Sequence, residues 1–195
     1  MFEKNEVTQS DICADKVIGR DDNSTTHNHF YNKTIAYRED HILKKLLIEH
    51  EEEKQKDSEY QIFSNELNNF FKKKQVENLR DLNTKLKDGG RENLVDIAID
   101  SKERVTKKIH RFSLYKSAQD IYSYLLTNIR TAFKHTIENR IKSGKFEHYE
   151  IDDIVKNEII EPYFHNIQGS SLFIDIDELY GLLYLLTGNC HIKWD

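Results

Sequence analysis

The chain has 195 residues, enough for one domain or for a small domain with an appendage. With 37% hydrophobic residues, 32% charged residues and a net charge of −5, it supports a modest core under a wide solvated surface, while ten Phe and ten Tyr separate it from disordered chains. Seven Gly and one Pro are too few for a loop-rich or all-β protein, and no segment approaches the ~18 consecutive apolar residues of a membrane-spanning helix.

The opening residues, MFEKNEVTQSD, read as frayed and lack the charged region and apolar run of a secretory signal. Two cysteines, Cys13 and Cys190, make no disulfide framework, so a reduced cytoplasm is the expected location. DICADKVIGRDDNSTTHNHFYNKT follows, with short extended pieces around an Asp/Asn/Gly turn, which predicts a small β-hairpin. An isolated hairpin is marginal in water, so this one needs a partner.

From Tyr37 the period changes. Ile42, Leu43, Leu46 and Leu47 form a helical stripe. Ser58 is a plausible N-cap for a second helix with Ile62, Phe63, Leu67, Phe70 and Phe71, continued by Leu79, Leu82 and Leu86. Asp88-Gly89-Gly90 is the clearest stop. A third helix starts near Glu92, lined by Leu94, Ile97, Ala98, Val105, Ile109 and Phe112. In the fourth, Ile121, Leu125, Ile129, Phe133, Ile137 and Ile141 recur every four residues, a ridge suited to packing on another helix; Ser143-Gly144 ends it. Ile151, Ile154, Val155, Ile159 and Ile160 predict a short helix broken near Pro162. The last helix is capped by Asp175 or Asp177, carries Leu179, Leu182, Leu183 and Leu186 and closes at Thr187-Gly188-Asn189. CHIKW alternates and predicts a short strand. The expected fold is mostly α, five or six helices with small β-elements near both termini: an extension over 1–34 and a helical interaction domain over 35–195.

Charge is segregated. Residues 102–145 hold eleven Lys/Arg against three acids, and 147–178 hold nine acids against one Lys. Two solvated helical faces that partly neutralise each other are one reading; a basic patch for nucleic acid or an acidic partner is the other. In the second, Arg104, Lys107, Lys108 and Arg111 make salt-dependent, sequence-blind phosphate contacts.

Asp21, Asp22, His27 and His29 contain a His-x-His pair beside carboxylates, a pattern that can ligate a transition metal or, in a rival reading, centre a small metal-dependent hydrolase. The spacing matches no standard zinc module, and the segment is read as a polar strand with turn-forming acids. No Walker A loop, G-x-G-x-x-G or G-x-S-x-G is present, so no catalytic, metal or cofactor site is assigned. The C-terminal rings, Tyr180, Tyr184 and Trp194, with Leu183, fit core burial, an interface anchor, or one face of each.

Two stretches carry a resemblance. ADKVIGRDDNSTTHNHF is similar to a glycine-and-asparagine linker-hairpin of bacterial conflict-system proteins. LYGLLYLLTGNCHIKWD resembles the end of the C-terminal domains of ABC-three-component defence systems, the group that includes Lamassu. Such systems pair an SMC-like ABC ATPase with an effector, often a nuclease, and a small accessory subunit. The resemblance implies a non-enzymatic adaptor between the ATPase and a separate nuclease effector, with DNA reached through the complex and no membrane. Its expected partner contacts are Val17, Ile18, His29 and Phe30 in the hairpin and Tyr180, Leu183, Tyr184, His191 and Trp194 in the tail. A nucleic-acid-binding module using residues 102–111 is the alternative.

Overall fold

A computed structural model describes residues 37–55, 65–75 and 79–195. The predicted hairpin, with Val17, Ile18, Asp21, Asp22, His27, His29 and Phe30, lies outside them, as do Ser58, Ile62 and Phe63. The described residues are mostly helical, in seven helical bodies.

Helix α1 (His41–Lys54) starts at Asp40, whose carboxylate accepts the N–H groups of Ile42 and Leu43 and the hydroxyl of Tyr124. Leu43 and His50 are buried, whereas Ile42 faces solvent, so the predicted stripe is narrower than expected. The second predicted helix is two. Helix α2 (Asn65–Phe71) buries Leu67 and Phe70, and α3 (Leu82–Asp88) restarts at Asp81, which caps Thr84 N–H at 2.7 Å. Leu79 is exposed between them. Helix α3 closes in a Schellman motif: Gly90, at φ 71°, donates to Lys87 O, and Arg91 N–H donates to Leu86 O.

A 3₁₀ turn over Glu92–Leu94 leads into α4 (Val95–Arg111). Next, α5 (Lys116–Ala132), a π turn (Phe133–Ile137) and α6 (Glu138–Ser143) form one continuous helix. The π turn explains the four-residue ridge. On a regular α-helix such a ridge winds about 40° per step. The wider π turn slows that drift, keeping Ile121, Leu125, Ile129, Phe133 and Ile137 all buried.

The same device recurs in α7 (His148–Ile154), a π turn (Val155–Ile160) and α8 (Glu161–Ile167). Here the expected break at Pro162 does not occur. Glu161 N–H bonds Lys156 O through the wide turn, and Pro162 follows directly on it, where the π bonding pattern has already displaced the regular ladder that a proline would break.

Helix α9 (Ile176–Gly188) begins with a capping box: Glu178 N–H donates to Asp175 at 2.8 Å and Asp175 N–H to Glu178 at 3.1 Å. Leu179, Leu182, Leu183, Tyr184, Leu185 and Leu186 are all buried, because α4 packs along one side and α2, α3, α5 and α8 close the others. The predicted C-terminal strand is absent. Instead α9 ends in a second Schellman motif, with Cys190 at φ 63°, its N–H on Thr187 O and His191 N–H on Leu186 O. That left-handed residue folds 190–195 back over the helix bundle, where no strand lies alongside to pair with it among the described residues. No helix of the described residues is long and apolar enough to cross a membrane.

Candidate functional site

The folded-back tail is core. Trp194 is 3% exposed; its Nε1 donates to Thr187 Oγ1 at 3.0 Å, and its ring meets Phe133 edge-on at 4.8 Å. Arg91 stands over it, with the guanidinium carbon 4.4 Å from the ring centroid. Beneath, Lys85 donates to Thr187 O at 2.7 Å and to Cys190 Sγ at 2.9 Å, placing a cation at the negative end of α9. His191 is buried against Phe70, 5.5 Å between centroids. Burying an indole is worth about 4–6 kcal/mol gross, which is why these rings go inward. Leu183, Tyr184, His191 and Trp194, expected as partner contacts, are all buried within this chain, as the core reading of the tail has them.

The tail still meets an opening. A cleft of about 240 Å³ lies between α4, the α7 wall and α9, lined by Leu94, Ile97, Asp152, Tyr180, Tyr184 and Trp194, among others. Ile97, at 52% exposure, stands at its edge rather than inside the core as its stripe predicted. Tyr180 stacks on Tyr184 with centroids 6.3 Å apart and planes at 23°. Burial pushes both phenols above their ordinary pKa, and for Tyr180 the nearby Asp152, Glu161 and Asp153 add to the effect. Both stay protonated donors at neutral pH. Arg91 reaches the cleft wall through Asp152, donating from Nε at 2.7 Å.

The basic tract is largely engaged. Arg104 pairs with Asp175 at 3.1 Å and Asp177 at 3.4 Å, Lys107 with Glu103 at 2.5 Å, and Lys108 with Glu178 at 2.6 Å. Lys108 also holds the carbonyl of Phe173 at 2.7 Å. Arg111 lines the same shallow depression as these residues. The segregated charges thus face each other across the α4–α9 seam, and Arg140 with Glu158 repeats the pattern at 3.2 Å. These pairs fit the reading of two faces that partly neutralise each other, and a phosphate at Arg104, Lys107 or Lys108 would compete with carboxylates already in place. Among the described residues no group of three or more His, Cys, Asp or Glu is arranged to hold a metal.

Sequence reasoning missed Arg91, Lys85 and Asp152. None sits on an apolar stripe, and each acts through a partner more than sixty positions away or through a C-terminal carbonyl. The Gly89-Gly90 stop was the available clue, since it sets the turn that aims Arg91 at Trp194.

What the geometry defines is a helical domain sealed by its own C-terminal segment, with an apolar cleft beside the seal. Residues 81–194 match the family of C-terminal domain 9 (CTD9) of the ABC-three component (ABC-3C) systems, and the chain belongs to that family. The matched span runs from the start of α3 to Trp194 and so includes the whole cleft and seal. It bears out the resemblance of the tail and extends through the helical middle. No curated protein and no solved structure matches the chain.

Proposed function

We propose that this chain is a non-enzymatic adaptor subunit of an antiphage or antiplasmid ABC-3C complex of the Lamassu type. In this reading it works in the cytoplasm, links an SMC-like ABC ATPase to a nuclease effector, and helps hold the effector inactive until foreign DNA is sensed. The observation that carries the reading is the CTD9 domain over residues 81–194, whose aromatic end is built into its core. An adaptor needs such a body: rigid, so that a change of contact on one side is felt on the other.

The test is co-expression of tagged chain with the ATPase and effector subunits of the same system. Recovery of both in one complex supports the proposal, with the chain alone hydrolysing neither DNA nor ATP. A chain that elutes alone with both subunits present, or that turns over a substrate unaided, removes it.

A further inference from the structure

The ion pairs of the α4–α9 seam leave a second group of cations unpaired. Residues 67–76 and 121–137 contain no acid. The fold brings the two stretches together, because α2 packs on α5. The Arg130 guanidinium lies over the Phe70 ring, 5.2 Å from its centroid, and Lys134 follows Arg130 by one turn on the same helix face. Lys72, Lys73 and Lys74 leave the end of α2 just past Phe70, all exposed. This run is held in place: Lys74 N–H donates to Asn189 O at 3.1 Å, and the Asn189 side chain donates to Phe70 O at 2.9 Å. Among the described residues none of the five cations is in an ion pair. Glu138, one turn beyond Lys134, is engaged by Lys193 N–H and Lys142. Asp81, which lies in the field of Lys73, is occupied as the cap of Thr84 N–H. Burial first, and then the nearby Lys134 and Arg130, hold the Lys74 ammonium below its ordinary pKa. Like charges crowd here, and an anion would relieve them.

We propose that Lys72, Lys73, Lys74, Arg130 and Lys134 form a surface for the phosphate backbone of a nucleic-acid duplex. The proposal stands apart from the adaptor reading, since the surface belongs to this chain alone. It also lies apart from the α4 tract, whose Arg104 and Lys108 are paired. The company these cations keep selects the occupant. No exposed large hydrophobic side chain falls within 65–75 or 121–137. An acidic protein partner wants an aromatic or apolar centre, and protein interfaces are poor in Lys. Single strands want exposed rings on which bases stack, and these stretches offer none. A basic patch without an apolar anchor is only one of the two signals that stable membrane attachment takes. Duplex phosphates ask for fixed cations and nothing else. The net charge of −5 does not forbid this, because exposed charges more than about 8–10 Å away are largely screened at physiological salt.

The test is fluorescence anisotropy of the full chain with labelled DNA and RNA duplexes of mixed sequence, from about 50 to 200 mM salt. Saturable, sequence-indifferent binding is expected, and the tighter duplex names the source of the phosphates. The slope of log affinity against log salt is expected between about −2.7 and −4.5, about −0.9 for each of three to five phosphates. Lys74→Glu/Lys134→Glu, at exposed positions, is expected to weaken binding roughly tenfold or more with an unchanged urea midpoint. Lys107→Glu, on the α4 tract, is expected to bind like wild type. Should the double reversal shift the midpoint, Lys74→Gln/Lys134→Gln carries the test, with a slope shallower by about one for each lysine. Four results overturn the proposal: no saturable binding of either duplex at the lowest salt, a slope that the Gln variants leave unchanged, a Lys107→Glu loss as large as that of the double reversal, or tighter binding to a Glu-rich peptide or phosphatidylserine vesicles than to either duplex at the same salt.

Discussion

Arg91 and Trp194 lie face to face, the guanidinium carbon 4.4 Å from the indole centroid, joining the turn after α3 to the last residues of the chain. Arg91 is 2% exposed and also donates to Gly89 O at 2.6 Å and to Asp152 at 2.7 Å. One side chain thus ties three segments that are remote in sequence.

Trp194→Ala is expected to cost about 3–5 kcal/mol, the range for deleting a buried large ring. Arg91→Ala is expected to cost less, about 2–3 kcal/mol, because the Asp152 side chain it leaves behind is 38% exposed and hydrates. Urea midpoints at constant slope measure both. A Trp194→Ala chain of wild-type stability would mean the tail is not part of the core.

Gly181 sits where α9 crosses α4. A Cβ there would meet Ser101 O at 2.4 Å and the Ser101 carbonyl carbon at 2.9 Å, backbone atoms that cannot swing aside. Gly181→Ala is therefore expected to cost at least about 3 kcal/mol, the upper end of overpacking. Gly144→Ala is the control. Open space surrounds it, but its φ of 62° leaves a left-handed strain of about 1–2 kcal/mol. Thermal unfolding of the two variants separates crowding from strain.

Lys107 and Lys108 are neighbours with different burdens. Lys107 pairs with Glu103 on an exposed face, and Lys107→Glu is expected to change stability by less than about 0.5 kcal/mol. Lys108 compensates the buried Glu178, so Lys108→Glu sets two carboxylates together and is expected to cost about 3–5 kcal/mol. Any DNA-binding assay that reverses both would confuse unfolding with lost contact; reversing Lys107 alone reads contact.

His50 and His191 give the fold an acid limit. Burial is the leading cause that lowers each below its ordinary 6.5, with Lys74 and Arg130 adding to the effect at His191. A lowered native value means the unfolded chain takes up protons first. Stability is complete above about pH 6.5 and falls as pH drops toward the native values, by at most about 1.4 kcal/mol per pH unit for each ring. Melting temperature is expected to decline from pH 7.5 to 5.5, a window chosen above the carboxylate range. The variants His50→Gln and His191→Gln should flatten the slope; an unchanged slope in both would assign the effect elsewhere.

Phe173 is 81% exposed at φ 48°, a conformation disfavoured for a bulky side chain. Phe173→Gly relieves about 1–2 kcal/mol of strain and gives back about 0.5–1 kcal/mol as chain entropy. The expected outcome is a gain of up to about 1 kcal/mol in a urea titration, and a clear loss would show the ring packs on something.

Local rules were enough for much of the architecture. Asp175 or Asp177 announced the start of α9, Gly89-Gly90 and Ser143-Gly144 announced two stops, and the run Ile121 to Ile137 announced the buried face of the longest helix. These features depend on neighbours within about one turn, so the sequence contains their whole cause. The π turns had a visible trace in the four-residue spacing, but their bonding pattern is not a sequence property. Pro162 and CHIKW misled, because each carries a local preference that its setting overrides: a wide turn accepts the proline, and a left-handed Cys190 turns the tail away from extended pairing.

The sequence by itself determined a mostly helical chain with two oppositely charged segments and a greasy, aromatic end, since composition and periodicity are properties of the string. Only the tertiary structure decided that the aromatic end faces inward, that the charges spend themselves on each other, and that Ile97, Tyr180 and Trp194 meet at one cleft. Burial and pairing depend on which remote surfaces meet, and that choice is made by the sum of many weak contacts across the fold.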